Sequence, residues 1–158
     1  MTDVKFEHSG KTLTASLWLA APAARVWEVF EDPRKLERWW GPPTWPATFS
    51  RYEFAPGGEA RYHMTGPDGT QAHGWWSIGE AEFPFFEFTD GFSDADGVPD
   101  PNMPKNTTRV SFEETGGGTR LVFRSEYDSE EDLNKVLSMG MEEGFTLAIS
   151  QIPDVLAA

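Results

Sequence analysis

The 158-residue chain has no cysteine. That excludes a disulfide framework, a thiolate zinc site, an iron–sulfur cluster and cysteine nucleophilic catalysis. Branched aliphatic residues are scarce: 20 Leu, Ile and Val stand against 22 aromatics (7 Trp, 3 Tyr, 12 Phe). No stretch approaches the ~20 apolar residues that a membrane-crossing helix needs, and the first residues lack a basic start followed by an apolar run. A soluble, cytoplasmic protein is expected. Basic residues are few as well, 13 Lys and Arg against 26 Asp and Glu, for a formal net charge of −13. The imbalance is uneven: residues 1–79 carry 8 basic and 9 acidic groups, residues 80–158 carry 5 and 17. Nucleic acids and anionic membranes need a basic footprint, so neither is an expected partner. The surplus acid reads as solubility charge before it reads as a docking patch for a cationic partner. At this length one domain, residues 1–158, is expected.

What is present is a strand-rich pattern. Thr12 to Leu19 alternates polar and apolar residues and predicts a strand, preceded by Val4 to His8 in the same sheet. Pro22 suits a helix start, and Ala23 to Phe30 places Val26, Val29 and Phe30 on one face. Asp32-Pro33 closes that helix and opens a second, which Gly41-Pro42-Pro43 stops after about Trp40. From Ala47 to Tyr127 turn signals separate the strands of an antiparallel meander, and Asp90 to Lys105 reads as a long loop.

Two turns fix which residues share a face. Pro67-Asp68-Gly69 suits a three-residue loop pairing Gly66 with Thr70. Ala60, Tyr62 and Met64 then share a face with Ala72, Gly74, Trp76 and Ile78, while His63 and His73 oppose each other on the outer face. Gly116-Gly117 as a two-residue turn puts Val110 and Phe112 beside Leu121 and Phe123. The same facing places Arg61, His63, Arg109, Glu113, Arg124 and Glu126 outside, leaving no evident acid or base within.

The acidic run Asp128 to Asp132 suits the start of a long C-terminal helix. Its apolar stripe (Leu133, Val136, Leu137, Gly140, Met141, Gly144, Leu147, Ala148, Ile152, Val155, Leu156) keeps three- and four-residue spacing for over five turns, with Pro153 expected to kink or end it. Gly140 and Gly144 each cost about 1 kcal/mol of helix propensity. Either the helix approaches the sheet closely there, or the missing side chains leave room for a ligand.

Metal chemistry finds little support. A His63/His73 pair without an adjacent carboxylate is a poor site. Aligning Asp94-Ala95-Asp96-Gly97 with a calcium loop puts Phe92 and Met103 where acids are required. Gly57-Gly58 and Gly116 to Gly118 lie in hairpin turns, so no nucleotide loop is present and no cofactor is implied.

The element order, with Ala21-Pro22-Ala23-Ala24-Arg25-Val26-Trp27, Arg38-Trp39-Trp40-Gly41-Pro42, Pro56-Gly57-Gly58, Gly66-Pro67-Asp68-Gly69, Phe88-Thr89-Asp90-Gly91-Phe92 and Gly140-Met141-Glu142-Glu143-Gly144-Phe145, resembles the SRPBCC superfamily. Within it the strings resemble the bacterial AHSA-type family, named after the activator of a heat-shock chaperone ATPase. The superfamily includes START lipid-transfer domains, Bet v allergens and polyketide cyclases. The resemblance implies an α+β helix-grip fold, a curved antiparallel sheet wrapped around a long C-terminal helix with two short helices after the first strand. It also implies a cavity between sheet and helix.

The expected function is binding of a small hydrophobic molecule, aromatic or polyketide-like, without assigned catalysis. The expected lining is Trp40, Trp45, Tyr62, Met64, Trp76, Phe86, Phe88, Phe112, Phe123, Met141, Gly144 and Phe145. The alternatives are a cyclase or dehydratase in which Tyr62 or an inward His73 moves a proton, and a co-chaperone module docking through its acidic half. Chaperone binding is the less favoured of these. Exposed tryptophans such as Trp75 are candidates for a homodimer interface.

Overall fold

Turn chemistry sets the strands, and the strands set the molecule. The computed structural model describes residues 3–157. In chain order these form β1 (Lys5–Ser9), β2 (Thr12–Leu19), α1 (Ala23–Glu31), α2 (Pro33–Leu36), β3 (Ala47–Tyr52), β4 (Glu59–Thr65), β5 (Gln71–Glu82), β6 (Phe85–Ser93), β7 (Lys105–Thr115), β8 (Gly118–Tyr127), α3 (Glu130–Ser138), α4 (Met141–Ile149) and α5 (Ile152–Ala157). The strands join one antiparallel sheet in the order β1-β2-β8-β7-β6-β5-β4-β3. The fold is α+β of the helix-grip type, a curved sheet covered by C-terminal helices. Bulges between Phe49 and Arg51 and between Ile78 and Ala81 add bend. No helix among the described residues is long and apolar enough to cross a membrane.

Both hairpins adopt the register that their turns dictate. The Gly66 N–H donates to Thr70 O (2.8 Å) and Gly69 takes φ +87°, so Tyr62 faces Gly74 and His63 faces His73. Gly116 and Gly117, at φ +60° and +79°, close the second turn and pair Val110 with Phe123.

The short helices also follow their signals. Asp32 Oδ1 accepts from the Arg34 N–H at 2.9 Å, with Pro33 in the first turn. Regular α2 ends at Leu36, and turns carry the chain on to Trp40. α1 buries Ala23, Val26, Val29 and Phe30 against the sheet.

Three expectations are corrected. The C-terminal helix is not continuous. Gly140, at φ +84° and ψ 22°, ends α3 in the left-handed conformation and caps α4, so it bears no helix-propensity cost. That break resets the helical phase, and Leu147, placed on the inner stripe by sequence, is 46% exposed. Pro153, expected to kink the helix or end its regular part, does accompany an interruption: α4 ends at Ile149, and Pro153 falls in the first turn of the separate helix α5, where its missing N–H is not needed. Second, β6 continues to Ser93, so Asp90 lies in a strand and not in a loop. Third, Trp75 is not a free ring: it lies over Gly91, where a Cβ would come within 2.7 Å of the indole nitrogen.

Candidate functional site

The inner face of the sheet divides into two territories. Under α1, Phe86 and Phe112 pack against Phe30 at 5.3 Å each and against Trp27 at 6.0 and 5.2 Å. These rings form solid core, so Phe86 and Phe112, expected in the lining, do not reach the cavity. Under α3 and α4 the space is not filled. A cavity of about 310 Å³ opens there, bounded by β2, β4 to β8, the helix-to-strand connection and the two helices.

Eight of the twelve expected residues line it: Trp40, Tyr62, Met64, Phe88, Phe123, Met141, Gly144 and Phe145. Trp45 instead lies over Gly66 near the sheet edge, where a Cβ would come within 2.6 Å of its ring. Trp76 sits behind the wall, fully buried, stacked on Phe88 at 4.2 Å and edge-on to Trp40 at 4.8 Å. The question posed by the two glycines resolves toward space for Gly144 alone: it lines the cavity and a Cβ there would meet nothing within 4 Å, whereas Gly140 is exposed and lies outside the lining.

The cavity also has a polar end that sequence reasoning missed. Directly opposed residues form a row across four strands, Trp76, Asp90, Asn106 and Tyr127. The next row holds Phe88, Thr108 and Ser125, with Thr108 Oγ1 and Ser125 Oγ 2.6 Å apart. All but Trp76 line the cavity. The facing of the strands left no evident acid or base beside Tyr62 within, and Asp90 corrects that. A signal existed: Phe86, Phe88, Asp90 and Phe92 keep period two. Gly91 and the polar stretch that follows led to a loop assignment instead.

Asp90 is held by Tyr62, whose hydroxyl donates to Oδ1 at 3.0 Å. Both residues are half-buried and line the cavity. Burial lifts the Asp90 carboxyl to about 7, despite the opposing pull of the Tyr62 hydroxyl and the nearby Trp76 indole. Burial, and then the Asp90 charge, push the Tyr62 and Tyr127 hydroxyls upward. The indole N–H groups of Trp40 and Trp76 are buried and have no hydrogen-bond partner. Each lies near a partner, Tyr62 and Asp90 respectively, but outside hydrogen-bond geometry. An unmade bond of this kind costs about 1–3 kcal/mol. Chemically, the site offers aromatic faces, one carboxyl able to give or take a proton near neutrality, and neighbouring hydroxyl groups.

The family and the fold have known counterparts. The family model described as Activator of Hsp90 ATPase homolog 1-like protein matches residues 20–157. No curated protein matches the chain. Among solved structures, a protein from Arthrobacter aurescens is 45% identical, with 97% of this chain and 91% of that one covered and a TM-score of 0.92. Protein Ms6760 from Mycobacterium smegmatis is 44% identical, with 98% and 95% covered and a TM-score of 0.87. Ara h 8.0201 shares the fold alone, at 12% identity over 95% and 100% of the chains and a TM-score of 0.64. From the match over most of its length and these structural likenesses, the chain belongs to the Activator of Hsp90 ATPase homolog 1-like family.

Proposed function

We propose that the protein binds a small, largely apolar molecule, aromatic or polyketide-like, between the sheet and the C-terminal helices. The observation that carries this reading is the unfilled space beneath Gly144, walled by Trp40, Phe88, Phe123 and Phe145. Well-packed cores leave few voids larger than a water molecule. At about 310 Å³ this one sits at the low end of ligand pockets, which run roughly 300–1,000 Å³. Trp40, Tyr62, Met64, Met141 and Phe145 would contact the ligand, and Trp40 would report it. The test is a fluorescence titration with a panel of one- and two-ring aromatic compounds. Saturable tryptophan quenching that disappears in Gly144→Leu supports the reading. No saturable quenching by any member overturns it.

A second reading, acid–base catalysis of the cyclase or dehydratase kind, is favoured by one observation, the Tyr62–Asp90 pair facing the cavity. A carboxyl titrating near neutrality suits a general base that removes a proton next to a carbonyl. Exchange of the α-hydrogens of an aromatic β-keto compound in deuterated water tests it. Acceleration by the protein, lost in Asp90→Asn, is expected on this reading; exchange no faster than in buffer removes it.

A further inference from the structure

The cavity holds a carboxyl group with no counter-charge. None of the ion pairs among the described residues includes Asp90, and the lining contains neither Lys nor Arg. The titratable groups facing it are few. β4 supplies Tyr62 and β8 supplies Tyr127. β5 supplies His73 at the cavity edge, with its ring 5.8 Å from that of His63 on the outer face. β7 contributes the neutral Asn106 and Thr108, and α3 and α4 present no charged side chain to the cavity. A neutral apolar occupant would leave Asp90 either protonated or ionised without compensation, and an anionic one would meet like charge.

Building on the reading of this cavity as a binding site, we propose that its occupant carries a protonated amine, held by the Asp90 carboxylate and the faces of Trp40, Tyr62, Phe88 and Tyr127. An ammonium group supplies the missing counter-charge and is drawn to aromatic faces by their quadrupoles. Tyr62, donating to Oδ1, leaves the other carboxylate oxygen for the ammonium. The net charge of −13 favours approach of a cation over that of an anion. Asp90, lifted to about 7, supplies a pH dependence: it is neutral below that range and a full partner for the amine above it.

Matched pairs test this: phenethylamine against 2-phenylethanol and tryptamine against tryptophol, by calorimetry at about pH 6 and pH 8, where both amines remain protonated. Each amine should bind about tenfold or more tightly than its alcohol at the higher pH, and the ratio should fall toward one at the lower. Asp90→Asn should abolish the preference while the alcohols still bind, which also shows that the variant is folded. If the alcohols bind and the amines bind no better, or the preference survives Asp90→Asn, the ammonium assignment is overturned and the cavity reading stands. If neither member of either pair binds, both are overturned.

Discussion

Tyr62 reaches Asp90 across an intervening strand: the phenol starts on β4, its ring lies over Gly74 of β5, and its hydroxyl donates to Oδ1 on β6 at 3.0 Å. Gly74 makes this crossing possible, because a Cβ there would sit 2.3 Å from Tyr62 Cζ. Gly74→Ala should therefore displace the ring and break the bond, at a cost of about 1–3 kcal/mol in urea denaturation. Tyr62→Phe isolates the hydrogen bond. Since that bond lowers the Asp90 pKa, its loss should move the carboxyl further up in an NMR titration. An unmoved Asp90 in both variants would contradict the coupling.

Asp90 also ties stability to pH, with a definite sign. Its folded-state value of about 7 lies above the ~4 of an unfolded aspartate. Between those values the folded protein keeps a proton that the unfolded chain has released. Stability should fall as pH rises through this window, by at most about 1.4 kcal/mol per pH unit from this group, and the loss is complete above the folded value. Asp90→Asn should flatten that component. Denaturation curves from about pH 4.5 to 8 decide it, and identical slopes in wild type and variant would count against a buried, proton-holding Asp90.

The two helix glycines, four residues apart, should respond oppositely to alanine. Gly144 lies in regular helix over open space, so Gly144→Ala should stabilise by about 0.5–1 kcal/mol while narrowing the cavity. Gly140 is left-handed, and Gly140→Ala should destabilise by about 1–2 kcal/mol despite equally open surroundings. Melting temperatures of the two variants give the comparison, and same-sign shifts would contradict the break between α3 and α4.

Adjacent tryptophans offer a similar contrast. The Trp39 indole N–H donates to Val29 O at 2.9 Å in the core, whereas that of Trp40 has no partner. Replacement by Phe removes a comparable volume at each position. Trp39→Phe should cost about 1–2 kcal/mol more than Trp40→Phe, through the stranded Val29 carbonyl. Equal losses in denaturation would show that volume alone governs both.

The facing of the sheet was legible because short turns leave little freedom. Gly66 to Thr70 and Gly116-Gly117 determined the pairing of Tyr62 with Gly74 and of Val110 with Phe123. What facing cannot reveal is which element covers each part of the face. Phe86 and Phe112 point inward like Phe88, yet α1 claims them, so the lining predicted from parity extended too far. Asp90 was missed for the converse reason: a polar residue beside a glycine resembles loop, although the strand ran on beneath it. The break at Gly140 was hidden because the three- and four-residue apolar spacing runs on through the sequence past it, although the left-handed backbone there resets the helical phase.

That break has a mechanical consequence. α3 rests on its own small core with Leu13 and Tyr127, and α5 is anchored in the main core through Ile152 and Val155. α4 runs between these two abutments like the deck of a bridge, and its fully buried residues, Ala148 and Ile149, lie at the end nearer α5. The strength of the molecule therefore resides in its supports, and the span over the void should be its softest helix. Backbone amides early in α4 should lose their hydrogens to deuterium sooner than those of β7 and β8, and an occupied cavity should slow them.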